Sequence, residues 1–159
     1  MVLDVGDSAP DFTLPNQDET PVSLANFQGQ WVVLYFYPRD STPGCTKEAC
    51  GFRDRNADYQ SRKVTILGIS PDTAKSHQKF IEKQTLPFTL LSDPESEVAR
   101  AYESYGPKKF MGKEYEGVYR QTFIIDPQGQ LAKIYRKVKP AEHAEQVLQD
   151  LEQLQVTSP

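Results

Sequence analysis

The chain has 159 residues, 38% hydrophobic and 25% charged, with a formal net charge of −4 and a sequence pI near 5.2. That length suits one domain built on one core across residues 1–159, and the composition is that of a folded chain rather than a disordered one. The acidic balance argues against a nucleic-acid partner, because the basic cluster Arg136, Lys137 and Lys139 is short and reads as a solvated strand edge.

The N-terminal "MVLDVGDSAPDF" has no basic flank followed by an apolar core, so it does not read as a secretory signal. "DFTL-PNQDET-PVSL" predicts two short strands around a polar turn. "WVVLYFY" (31–37) is the longest apolar run, far short of the ~20 residues of a membrane span, and predicts a central strand ended by Pro38. A helix is expected from Thr42-Pro43, a threonine cap with proline at the first helical position, to about Gln60, with Ala49, Phe52 and Tyr59 turned inward.

"VTILGIS" (64–70) is the next buried strand. Helices follow in "DTAKSHQKFIEKQ", opened by Asp72, and "DPESEVARAY", capped by Asp93. "GVYRQTFIID-PQG-QLAKIYRKV" predicts a hairpin turning at Pro127-Gln128-Gly129, with Arg120 inside its first strand. A final helix from about Ala141 to Leu154 presents Ala144, Val147, Leu148, Leu151 and Leu154 on one face. This order describes an α/β chain of thioredoxin-like layout: a central mixed sheet flanked by helices, with an N-terminal β-hairpin extension. No G-x-G-x-x-G follows a strand, which argues against a Rossmann domain.

The two cysteines, Cys45 and Cys50, stand five positions apart on the first predicted helix. Cys45 falls in its first turn, where unpaired N–H groups and the positive end of the helix dipole favour thiolate, the nucleophilic form. Five residues of helix separate the two Cα atoms by about 8–9 Å and turn them to different faces. A disulfide needs Cα atoms within about 7 Å, so the pair can bond only if the first turns unwind. A conditional bond suits a catalytic cycle better than a structural staple, and an intracellular, reducing setting disfavours a staple independently.

Competing chemistries are weaker. Zinc would need further ligands, and the two histidines, His77 and His143, sit on different predicted helices and read as surface residues. No histidine is expected to face Cys45 as a hydrolase base. Four residues separate the cysteines, where thioredoxin-type exchange normally uses two. A thiolate without a base suits peroxide, whose departing oxygen needs preorganised donors.

Pro38, Thr42 and Cys45 in "PRDSTPGC" match the Pro-x-x-x-Thr-x-x-Cys motif of peroxiredoxins, and "TPGCTKEACGFRD" resembles the Q-type branch, the bacterioferritin comigratory proteins. "GKEYEGVYRQTFIIDPQGQL" is similar to the same branch, whose Arg-x-Thr-Phe arginine is Arg120 here, while "SYGPKKFM" departs from it. The resemblance runs from about Val5 to Leu151. It implies that Cys45 is the peroxidatic cysteine, oxidised to a sulfenic acid, and that Cys50 resolves it as a disulfide that thioredoxin or a related dithiol reduces. Thr42 and Arg120 would hold the departing oxygen, Pro38 would shield the sulfur, and Glu48 would orient Arg120 against the alternative of an exposed helical glutamate. Arg39 is expected at the surface. The implied enzyme is a monomeric cytoplasmic peroxidase for hydrogen peroxide and organic hydroperoxides that uses no metal, haem or flavin. The rivals are a disulfide reductase and a non-enzymatic redox sensor.

Overall fold

The computed structural model describes residues 2–157. Strands β1 (Thr13–Pro15) and β2 (Pro21–Ser23) pair antiparallel as the expected hairpin. Strands β3 (Trp31–Phe36), β4 (Val64–Ser70), β5 (Thr89–Ser92), β8 (Gln121–Ile125) and β9 (Leu131–Tyr135) form a five-stranded sheet. Its order is β5-β4-β3-β8-β9, with β3 in the middle. β3 runs parallel to β4 and antiparallel to β8, so the sheet is mixed.

Alternation along β3 divides the core. Val33, Tyr35 and Tyr37 pack with Cys45, Ala49 and Phe52 of α1 (Pro43–Asp54), Tyr59 of α2 (Asn56–Ser61), Phe80 of α3 (Ala74–Gln84), and Ala144, Val147 and Leu151 of α5 (His143–Thr157). Val32, Leu34 and Phe36 join the opposite cluster, with Phe12, Leu24, and Ala99 of α4 (Glu97–Ala101). Among the described residues no helix is long and apolar enough to cross a membrane.

Several local expectations change. The helix expected to reach Gln60 breaks at Arg55, where the backbone leaves helical geometry at φ −110°, ψ 11° and its N–H reaches back only to the Arg53 and Phe52 carbonyls. Thr73, not Asp72, caps α3, its hydroxyl accepting from Ser76 N–H. Asp93 stands well ahead of α4, yet its carboxylate accepts from the Ala99 N–H inside that short helix.

His77 and His143 are fully buried rather than exposed. Amphipathic helix faces concealed them, because each ring trades its hydration for internal hydrogen bonds, His77 to Asp40 and the Leu91 carbonyl, His143 to the Thr122 hydroxyl.

A second hairpin pairs β6 (Tyr105–Phe110), in the segment that departs from the family pattern, with β7 (Lys113–Val118). Its two-residue turn places Met111 (φ 51°) and Gly112 (φ 81°) in the left-handed region that tight hairpins require. Most of its side chains are at least partly exposed, so no polar–apolar alternation announced it.

Candidate active site

The site forms where β3 ends and α1 begins. Tyr37 closes the ladder by donating its N–H to Ile69, and Pro38 then stands half-buried at the rim of a cleft of about 430 Å³. Lys108, Tyr105 and Tyr115 of the second hairpin line the same cleft, as does Arg39, which is exposed as expected. Ser41 turns the chain through φ 62°, and Thr42 enters α1 in an extended conformation. Its carbonyl accepts the N–H of Thr46. Its hydroxyl, however, does not cap the helix: it donates to the Arg39 carbonyl at 2.9 Å.

Cys45 is the third residue of α1 and only 1% exposed. Arg120 reaches it from the short link between β7 and β8, not from within a strand. Its Nη2 donates to Cys45 Sγ at 3.2 Å, and its Nη1 donates to Glu48 Oε1 at 2.7 Å. One planar fork thus touches the sulfur and a carboxylate one helical turn beyond it. Burial opposes the charge of Arg120, but Glu48 and Cys45 outweigh that effect and its pKa rises.

Glu48 is completely buried, so the exposed alternative fails. Burial pushes its pKa up to about 7, with Arg120 pulling the other way. Its second oxygen, Oε2, has no hydrogen-bond partner. The carboxyl therefore divides between ionised and protonated forms near neutrality.

Residues outside the sequence reading also shape the site. Gly44 leaves room for the guanidinium, since a Cβ there would stand 3.1 Å from Arg120 Nη2. Tyr35 lies buried under α1, and burial followed by Glu48 and Cys45 drives its pKa far up, which keeps it a neutral phenol. Lys108 is lowered by burial and by Arg120. The glycine carried a faint signal, a flexible residue inside a first helical turn. The other two carried none.

Cys50 is not beside Cys45. Both thiols are free, and Cys50 Sγ donates to Gln84 Oε1 at 3.4 Å. Asp40, Asp72 and His77 bring three potential ligand atoms within 4.8 Å of one another. Asp40 already accepts from Tyr37, Ser76 and His77, and Asp72 from Ser70 and the Asp40 N–H, so the group reads as a closed hydrogen-bond network anchoring the loop before Thr42.

Residues 5–134 match the AhpC/TSA family model. The chain is 45% identical over 154 residues to peroxiredoxin Bcp of Bacillus subtilis, covering 97% of this chain and 98% of that one. It is 44% identical over 146 residues to peroxiredoxin Bcp of Escherichia coli, covering 92% and 94%. Among solved structures, a cysteine-to-serine mutant of Xanthomonas campestris peroxiredoxin Q superposes with a TM-score of 0.88 at 38% identity, covering 96% of this chain and 98% of that one. A cysteine-to-serine mutant of Xylella fastidiosa PrxQ gives 0.91 at 32%, covering 98% and 99%.

Proposed function

The chain belongs to the AhpC/TSA family and is a thiol-dependent peroxidase, and from that premise we propose how its residues divide the work. Cys45 attacks one oxygen of the peroxide as a thiolate. The O–O bond breaks, the sulfur takes one oxygen, and the other leaves as hydroxide or alkoxide, which a proton converts to water or alcohol. Arg120 Nη2 holds the sulfur before attack and the developing negative charge during it. The observation that carries this reading is the guanidinium fork shared between Cys45 and Glu48.

Thr42 turns its hydroxyl from the Arg39 carbonyl towards the bound peroxide, and Pro38 keeps water from the sulfur. Glu48 fixes the plane of Arg120. The Cys45 sulfenic acid then condenses with the Cys50 thiol, losing water, once α1 unwinds between them. An external dithiol, thioredoxin or a relative, reduces that disulfide by two exchanges and is itself oxidised. The substrates are hydrogen peroxide and organic hydroperoxides; of a relative, the bacterioferritin comigratory protein of Xanthomonas campestris, alkyl peroxide reduction is described. We place the chain in a reducing cytoplasm, working as a monomer and as one domain. Among the described residues the large exposed apolar side chains are confined to the chain ends and to Phe110, Met111 and Tyr115, which supports the monomer. Both core clusters share one sheet, which supports the single domain.

Stopped-flow oxidation by hydrogen peroxide and by a bulkier hydroperoxide tests the assignment. Cys45→Ser abolishes peroxide consumption. Cys50→Ser keeps one fast oxidation but stops cycling with thioredoxin. Wild-type turnover by Cys45→Ser would overturn the reading.

A further inference from the structure

Gln84, the last residue of α3, is held twice by α1. Cys50 donates its thiol to the side-chain Oε1, and Arg53 Nη1 donates to the main-chain carbonyl at 2.8 Å. Both donors stand three residues apart on one face of α1. The carbonyl is one of those that a helix end leaves without an internal partner, so Arg53 supplies a bond that α3 lacks. Thr85 follows in the left-handed region (φ 54°) and sends its own N–H back to Ile81, which ends the helix there.

We propose that Gln84 is a positioning residue of the resolving step: its side-chain amide retains Cys50 in the helix, and its carbonyl, gripped by Arg53, marks where unwinding stops. This rests on the division of roles between Cys45 and Cys50 given above. Condensation needs Cys50 to leave Gln84 Oε1 and approach the Cys45 sulfenic acid, with one S–S bond formed and one water released. The Arg53 contact lies beyond Cys50 and survives that movement, so α1 opens from Cys45 to Cys50 while its remainder stays docked on α3. The strength of the Cys50–Gln84 bond then sets how long the sulfenic acid waits. A second peroxide competes during that wait, oxidising the sulfenic acid to sulfinic acid and leaving as water or alcohol.

Rapid-quench alkylation with intact-mass readout tests this in the full chain. Gln84→Met replaces the amide oxygen by a much weaker thioether acceptor at similar length, and Gln84→Glu keeps a strong one. Gln84→Met should condense at least about threefold faster than wild type, the scale of one modest hydrogen bond. Its sulfinic fraction after a high-peroxide pulse should fall in proportion, with the first oxidation rate within about twofold of wild type. Gln84→Glu should condense no faster than wild type. Condensation by Gln84→Met at or below the wild-type rate overturns the proposal, as does equal acceleration by both variants, which would mean simple loosening of the helix. Gln84→Leu, which carries no acceptor at all, serves as the second variant if Gln84→Met does not fold. A wild-type chain that forms no Cys45–Cys50 bond would instead refute the division of roles itself, whatever the Gln84 variants do.

Discussion

Arg120 Nη2 lies 3.2 Å from the sulfur of Cys45, across 75 residues of sequence, with the same guanidinium bonded to the buried carboxyl of Glu48. Replacing Arg120 with Met should lower the second-order rate of Cys45 oxidation by ~10²–10³-fold, the usual loss for one oxyanion donor. Arg120→Lys should recover little of it, because a single ammonium cannot span sulfur and carboxyl as a planar fork does. Stopped-flow measurement with hydrogen peroxide reads both.

Thr42 gives a cleaner separation of catalysis from folding. Since its hydroxyl donates to Arg39 and caps nothing, Thr42→Val should change stability by less than the ~1 kcal/mol of a lost cap. Peroxide reduction should nevertheless fall about a hundredfold, and Thr42→Ser should restore most of it. Urea denaturation and steady-state kinetics on the same preparations make the comparison. A large stability loss matching the activity loss would assign Thr42 a structural role only.

Gly44 should tolerate alanine in the fold but not in the reaction. The added Cβ meets Arg120 Nη2 at 3.1 Å, close enough to push the guanidinium a few tenths of an ångström from its place. Small displacements of this kind cost reactivity steeply, so Gly44→Ala should slow Cys45 oxidation about tenfold. Thermal stability should hold or rise slightly, since alanine favours the helix over glycine. An unchanged oxidation rate would show that the guanidinium has room to spare.

Two buried groups give the folded state opposing pH dependences. Glu48 keeps its proton up to about pH 7, against 4.5 for an ordinary glutamate, because burial disfavours its charge. Between those values the folded chain binds more protons, so raising the pH weakens it. His143 is held down to about 4 from 6.5 by burial and then by Arg120. Between those values the folded chain binds fewer protons, so raising the pH strengthens it. The two slopes oppose each other in the wild type. Glu48→Gln should expose the histidine, giving a stability that climbs from pH 4 to 6.5. Urea titrations of both proteins across that range check the slopes: a wild type that climbs as steeply as the variant would remove Glu48 from the account, and a flat variant would remove His143.

The elements easiest to read in the sequence were those whose periodicity and punctuation agree. "WVVLYFY" was legible as the middle strand because a strand covered on both faces needs apolar residues throughout, and Pro38 ends it. The start of α1 was legible from Thr42-Pro43, and with it the place of Cys45 in the first turn. The last helix was legible from its apolar stripe, and Ala144, Val147 and Leu151 are indeed buried. The β6–β7 hairpin was not, because a largely exposed ribbon buries too little to impose a pattern.

Chemistry divides along the same line. The order of residues along one helix determined that Cys45 sits at its positive end and that Cys50 stands beyond disulfide reach, since helix geometry converts sequence spacing directly into distance and direction. Only the tertiary structure decided that Glu48 is buried rather than exposed, that Arg120 spans it and the sulfur, that Gly44 makes space for the fork, and that Gln84 receives Cys50. Those contacts join segments brought together by packing a sheet between helices. Nothing in local spacing encodes which distant side chain a folded core will set against a given atom.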